Sequence, residues 1–153
     1  MSAAVLVSGG GTNLQAFIDE VREHRLDLEL RVVISNNRDA GALDRARNAG
    51  IADECVCNTD YAGRADFDAA LAATIDRFHP DLLILAGFMR ILTKAFVNRY
   101  QGRILNIHPS LLPRFPGLDT HQRALDEGER VHGSTVHFVT EDLDAGPPIM
   151  QGR

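Results

Sequence analysis

The sequence predicts an α/β protein built on a doubly wound, mostly parallel sheet with helices on both faces. Three observations lead there. Short apolar runs alternate along the chain with stretches whose apolar residues recur at helical spacing. One run, Leu82 to Ala86, is apolar throughout, as a strand buried on both faces requires. The segments that could carry chemistry lie just past apolar runs, where open parallel sheets bind their ligands.

Ala3 to Val7 reads as the first strand, closed by Ser8 and three glycines. From Thr12 the period changes: Leu14, Phe17, Ile18 and Val21 fall at i, i+3, i+4 and i+7, one face of a helix. Leu30 to Ile34 is the second strand and ends at Ser35-Asn36-Asn37. Ala40 to Ala49 is helical, and Gly50 fits its C-terminal stop. Glu54 to Cys57 is expected to be the third strand. Phe67, Leu71, Ile75 and Phe78 form the next helical stripe, stopped by His79-Pro80. After the Leu82 to Ala86 strand come a short helix around Thr93 to Tyr100 and a strand from Arg103 to Ile107. Pro109, Pro113, Pro116 and Gly117 then enforce an irregular loop. A short helix near Thr120 to Asp126 and a strand near Ser134 to Val139 follow. No repeat, low-complexity tract or linker divides the chain, so residues 1–153 are expected to form one domain.

Composition narrows the function classes. Sixteen Lys and Arg stand against 21 Asp and Glu, a net charge of -5, and no long basic run occurs. A nucleic-acid backbone is therefore not an expected partner. Met1 to Val7 carries no positive n-region and no apolar stretch long enough for a signal or a membrane span, which points to the cytoplasm. Cys55 and Cys57 stand two apart in a strand-like stretch, on one face but poorly placed to bridge. With no further ligands near them they read as free thiols in a reducing compartment, not a metal site.

Three segments could carry chemistry. Ser8-Gly9-Gly10-Gly11-Thr12-Asn13 joins a strand to a helix, where close backbone approach and unpaired N–H groups suit a phosphate. A tight turn with a helix cap is the plainer alternative. The segment departs from the dinucleotide fingerprint, because Leu14 replaces the third glycine and no acid follows the second strand. No Walker lysine follows either. Asn106 and His108, at i and i+2 of a strand, would converge on one side. An amide donor beside an imidazole suits a carbonyl that becomes a tetrahedral oxyanion, although a strand-end histidine can equally be structural. Asp142-Leu143-Asp144-Ala145-Gly146 offers a carboxylate that could steady an imidazole, or a simple turn, and nothing local separates Asp142 from Asp144. His24, His79, His121 and His132 read as structural. His137, alternating with Val136 and Phe138, could back His108. No Gly-x-Ser-x-Gly elbow, no base for Cys55 and no closely spaced metal-ligand set occurs, which leaves covalent and metal catalysis without support.

Taken together, Ser8 to Asn13, Leu85-Ala-Gly-Phe-Met-Arg-Ile-Leu92, Ile104-Leu-Asn-Ile-His-Pro-Ser-Leu-Leu-Pro113 and His132 to His137 with Asp142 to Gly146 resemble the folate-dependent formyltransferases. Within them the chain is most similar to the phosphoribosylglycinamide formyltransferases. The resemblance runs through the whole chain in order. It implies a Rossmann-like formyltransferase fold and transfer of a formyl group from 10-formyltetrahydrofolate, as co-substrate, to the amine of glycinamide ribonucleotide in purine synthesis. It implies that Gly11, Thr12 and Asn13 hold the ribonucleotide phosphate. Arg64 would meet the folate's acidic tail. Met89, Arg90, Ile91 and Leu92 would line the folate pocket together with Asn106, and the loop Thr140, Glu141, Asp142 and Leu143 would close over the pterin. Asn106 and His108 would stabilise the tetrahedral intermediate, while Asp144 raises the His108 pKa and helps to organise proton transfer. No metal is implied. The partners are the two small molecules, with no nucleic acid or membrane, and the protein is expected to be a monomer or weak homodimer.

Members of the resembled family continue past the position of Arg153 through a further strand and a C-terminal helix. The chain is thus expected to lack that C-terminal segment, and with it an edge strand and a packing helix, while Pro147-Pro148 stiffens the start of the next strand and removes two donors. A formyltetrahydrofolate deformylase, in which water replaces the amine, and a non-catalytic folate- or nucleotide-binding fragment are the alternatives.

Overall fold

The computed structural model describes residues 1–108, 122–123, 126–127, 134–139 and 148–152. Within them seven strands form one sheet: β1 (Ser2–Val7), β2 (Glu29–Ser35), β3 (Ala52–Cys55), β4 (Leu82–Leu85), β5 (Ile104–His108), β6 (Ser134–Phe138) and β7 (Pro148–Gly152). Their spatial order is β3-β2-β1-β4-β5-β6-β7. The first five are parallel, while the β5–β6 and β6–β7 pairings are antiparallel. Four helices fill the crossovers: α1 (Thr12–Arg22), α2 (Gly41–Asn48), α3 (Arg64–Asp76) and α4 (Lys94–Arg99). None of the described helices is long and apolar enough to cross a membrane.

The period-two alternation of the strands divides the core in two. All six residues of β1 are buried. Ala4 and Leu6 join Val32, Ile34, Leu83 and Leu85 under α3 and α4, packed by Phe67, Leu71, Ile75, Phe96 and Tyr100. Ala3, Val5 and Val7 join Val33 and Ile84 on the opposite face, beneath Leu14 and Ile18 of α1 and Ala42, Leu43 and Ala46 of α2. This is the doubly wound arrangement expected, and it explains why the central strands carry no polar alternation.

Two expectations need correction. β3 spans Ala52–Cys55, not Glu54 to Cys57, because it pairs with β2 from Val32↔Ala52 to Ser35↔Cys55 and loses its partner where β2 ends. Cys57 consequently lies outside the strand, preceding a short 3-10 turn at Asn58–Asp60. Both thiols are free, but strand geometry does not separate them, and their Sγ atoms lie 2.9 Å apart. Burial, followed by the Cys57 thiol, pushes the Cys55 thiol up to about 11. The strand whose start Pro147-Pro148 was expected to stiffen is β7: Pro148–Gly152 pairs antiparallel with β6. Proline is tolerated there because an edge position and a strand's first residue are the places that can spare its N–H. Of the expected helix near Thr120 to Asp126, only residues 122–123 and 126–127 are described; Gln122 Nε2 donates to Asp126 Oδ1 at 2.8 Å, one helical turn on.

Candidate active site

The order β3-β2-β1-β4-β5 places the topological switch point between β1 and β4, because the chain winds outward from β1 in one direction and resumes at β4 in the other. Open sheets bind ligands in the crevice beyond the carboxyl ends of such strands. The segments following β1 and β4 are stitched together there. Ser8 N–H donates to the Gly87 carbonyl at 3.1 Å. The Ser8 hydroxyl donates to Asn36 Oδ1 at 2.6 Å and accepts from Met89 N–H at 2.8 Å. Asn36 Nδ2 passes the chain on to Asn58 Oδ1 at 3.2 Å. One serine therefore ties together the loops after β1, β2 and β4, and through Asn58 the turn after β3. Sequence reading registered Ser35-Asn36-Asn37 only as lacking an acid; the signal available was a cluster of short polar residues ending a strand.

The glycine loop is oriented by α2. Ala42 N–H donates to the Gly9 carbonyl at 3.1 Å, and Arg45 Nε donates to the Gly10 carbonyl at 2.6 Å. In a trans peptide the C=O and the following N–H point in opposite directions. Holding these two carbonyls against α2 therefore turns the N–H groups of Gly10 and Gly11 away from it. Gly11 caps α1 in the left-handed region, φ 79°, with no side-chain cap on the helix end. A Cβ at Gly11 would lie 2.7 Å from the Ala42 Cβ, so this glycine is required both for its φ and for the approach of α2. Thr12 and Asn13 are exposed beside it. The result is a concave run of backbone donors at the positive end of a helix dipole, suited to an anion.

Across the switch point, Gly87 takes φ 74° and turns the chain after β4. Met89 and Ile91 are 67% and 62% exposed, unusual for large apolar side chains. Phe88 and Leu92 point the other way and pack against the core, and the Arg90 guanidinium lies over the Phe67 ring at 4.8 Å. Arg64 is the first residue of α3, exposed, and one turn before Phe67.

Asn106 lies in β5 opposite Leu85 of β4 and His137 of β6. His137 is buried; its Nδ1 lies 3.0 Å from the Phe138 carbonyl and its Nε2 lies 3.3 Å from Asn106 Nδ2. A carbonyl can only accept, so Nδ1 carries the proton and Nε2 accepts from the Asn106 amide. That fixes the amide's orientation and leaves its second N–H to donate elsewhere. His137 thus backs Asn106, a role that sequence alternation did not assign. His108 closes β5, its backbone registered with Thr135. Thr140, Glu141, Asp142, Leu143 and Asp144 lie outside the described residues. Among the described residues no group of three His, Cys, Asp or Glu side chains could hold a metal ion.

An α/β switch-point site with an anion loop on one strand and an Asn-x-His pair on another strand two places along accords with what the family comparison finds. The profile of the formyl transferase family matches residues 1–153, and the chain belongs to that family. It is 50% identical over 153 residues to the phosphoribosylglycinamide formyltransferase of Escherichia coli (strain K12), covering 100% of this chain and 72% of that protein. It is 48% identical over 148 residues to the human trifunctional purine biosynthetic protein adenosine-3, covering 97% of this chain and 15% of that one. Among solved structures, glycinamide ribonucleotide transformylase 1 from Symbiobacterium toebii superposes with a TM-score of 0.96 at 47% identity, over 99% of this chain and 72% of that one. The phosphoribosylglycinamide formyltransferase of Coxiella burnetii gives 0.93 at 52% identity, over 99% of this chain and 71% of that one.

Proposed function

We propose that the protein transfers the formyl group of 10-formyltetrahydrofolate to the amine of glycinamide ribonucleotide, a step of purine synthesis in the cytoplasm, acting as a monomer or weak homodimer. The observation that carries this reading is the placement, at the carboxyl ends of one sheet's strands, of a glycine loop after β1 with its N–H groups turned outward and of an asparagine on β5 whose amide is fixed by a buried histidine. The Escherichia coli relative, by its name a phosphoribosylglycinamide formyltransferase, supports the same substrate.

In this reading Gly11, Thr12 and Asn13 hold the ribonucleotide phosphate. Met89 and Ile91 present apolar walls to the folate, the backbone from Arg90 to Leu92 reads the pterin, and Arg64 meets the acidic tail. Thr140, Glu141, Asp142 and Leu143 close over the pterin. The amine nitrogen attacks the formyl carbon, forming a C–N bond and placing negative charge on the former carbonyl oxygen. The other N–H of Asn106 donates to that oxygen, assisted by His108, whose protonated form Asp144 favours. As the bond from the formyl carbon to the folate nitrogen breaks, the proton lost by the amine is delivered to that departing nitrogen. The protein forms no covalent bond to the formyl group, so catalysis rests on positioning and electrostatics.

The test is a formyl-transfer assay with 10-formyltetrahydrofolate, with and without glycinamide ribonucleotide, on the 153-residue chain and on a C-terminally extended form of it. Folate turnover that requires the ribonucleotide is the expected result. Formate release without it would instead make the protein a deformylase. Folate binding without turnover in either form would leave a binding module.

A further inference from the structure

The segment between β4 and α4 is gripped at both ends. Ser8 holds its start through Met89 N–H, at 2.8 Å. Its end is held by Asp68 of α3, whose Oδ2 accepts from Thr93 N–H at 2.7 Å. Thr93 then caps α4, its Oγ1 accepting from Phe96 N–H at 3.2 Å. Asp68 is only 4% exposed, and its Oδ1 is buried without a hydrogen-bond partner among the described residues. A carboxylate in that position carries a desolvation cost that an apolar residue on the same helix face would avoid. What it gains is one short, charge-assisted bond to the loop. Phe67, its neighbour, lies under the Arg90 guanidinium, so a single turn of α3 holds the loop at two points. Between the grips, Met89 and Ile91 are held out toward solvent at 67% and 62% exposure.

We infer that Asp68 is a positioning residue for the folate side of the site: by fixing Thr93 N–H it sets the path of residues 87–92 and the placement of the groups that meet the folate. This rests on the proposed formyl transfer. Asp68 touches neither substrate; it acts through the loop. The glycine loop, held separately by Ala42 and Arg45, does not depend on it.

Steady-state kinetics of the protein test the inference. Asp68→Ala should raise the KM for 10-formyltetrahydrofolate roughly tenfold or more, the effect of losing a hydrogen bond to a charged group. The KM for the ribonucleotide and kcat should stay within about threefold of wild type, since the phosphate loop and Asn106 are untouched. Asp68→Asn keeps an acceptor for Thr93 N–H and should restore most of the folate KM. An unchanged folate KM in a folded Asp68→Ala protein, or equal rises in both KM values, would overturn the inference. Should Asp68→Ala not fold, Thr93→Pro removes the same donor at a residue whose φ of -69° already suits proline, and, compared with Thr93→Ala, which loses only the Oγ1 cap, it must reproduce the folate-specific defect. If the variant instead shows a normal folate KM, the inference fails. A wild-type protein that does not turn over 10-formyltetrahydrofolate would overturn the proposed function itself, which is a different result from wild-type turnover with no selective Asp68 defect.

Discussion

Asn106 donates to His137 Nε2, and His137 Nδ1 is committed to the Phe138 carbonyl. The pair works as one unit: the imidazole has a single tautomer available, and that tautomer fixes which way the amide faces. His137→Phe keeps the ring's bulk and removes the acceptor, so the amide can rotate. The expected outcome is a fall in kcat of roughly tenfold or more with both KM values little changed, short of the hundred- to thousandfold cost typical of losing an oxyanion donor outright. His137→Gln, which offers a carbonyl acceptor, should recover part of the loss. If His137→Phe retained wild-type kcat, the orientation of Asn106 would not depend on this bond. The i, i+2 spacing of Asn106 and His108 was legible in the sequence, but the partner of Asn106 was not. Alternation shows only that His137 faces away from Val136 and Phe138, and the antiparallel register Asn106↔His137 reveals whose side chain it meets. The cysteines follow the same logic: strand spacing kept Cys55 and Cys57 apart, until the end of β2 showed that Cys57 is not in a strand.

At the scale of elements, α3 and α4 are joined by polar contacts at both ends of α3. Asp68 holds Thr93 near the N-terminus, and Asp76 at the last turn accepts from the Tyr100 hydroxyl at 2.7 Å and pairs with Arg99. Tyr100 is 2% exposed, and burial, followed by its bond to Asp76, pushes its hydroxyl up to about 12. For Asp76 burial alone would raise the carboxyl, but the bonds from Tyr100 and Arg99 outweigh it and hold the group below its ordinary value. The two shifts act at opposite ends of the pH scale. Asp76, depressed in the folded state, contributes stability above the ordinary carboxylate value of about 4 and loses it as pH falls through the folded value. Tyr100, raised, contributes below about pH 10, and that contribution is lost as pH rises through about 12. Tyr100→Phe should therefore lower stability near neutrality by about 1 kcal/mol, a Tm fall of roughly 2–4 °C for a chain of this size. It should also flatten the alkaline arm of a melting curve series between about pH 9 and 12. An alkaline arm as steep as the wild type's would show that Tyr100 does not carry it. The helices themselves were legible because their apolar stripes repeat at 3.6 residues. The bonds between them were not, since an Asp inside an apolar stripe reads from sequence as a surface residue.

For the whole molecule, the alternation of strands and helices was enough to read the two-faced parallel sheet from β1 to β5, because a chain that repeats this unit has few other ways to bury both faces of its strands. The antiparallel margin was less legible. An apolar run announces a strand but not its direction, and Pro147-Pro148 marked only the stiff start of a strand, so the antiparallel pairing of Pro148–Gly152 with β6 was not readable. That strand covers the outer edge of β6, which in turn carries His137 against Asn106. The edge thus links global stability to the site. Deleting residues 148–152 leaves the β6 ladder unpaired on its outer side, a surface prone to pairing with other chains. The expected loss is about 2 kcal/mol, a Tm fall of roughly 4–8 °C, accompanied by concentration-dependent association. Because β6 would then be held by β5 alone, kcat should fall at temperatures well below the new Tm, while ribonucleotide binding, proposed at the glycine loop after β1, three strands from β6, should persist. Melting curves, light scattering and kcat measured on the same preparations separate the outcomes. A lower Tm with full kcat would make β7 an edge cover only, whereas a lower kcat in protein that is still folded and monomeric would show that the margin of the sheet holds the catalytic strand pair in register.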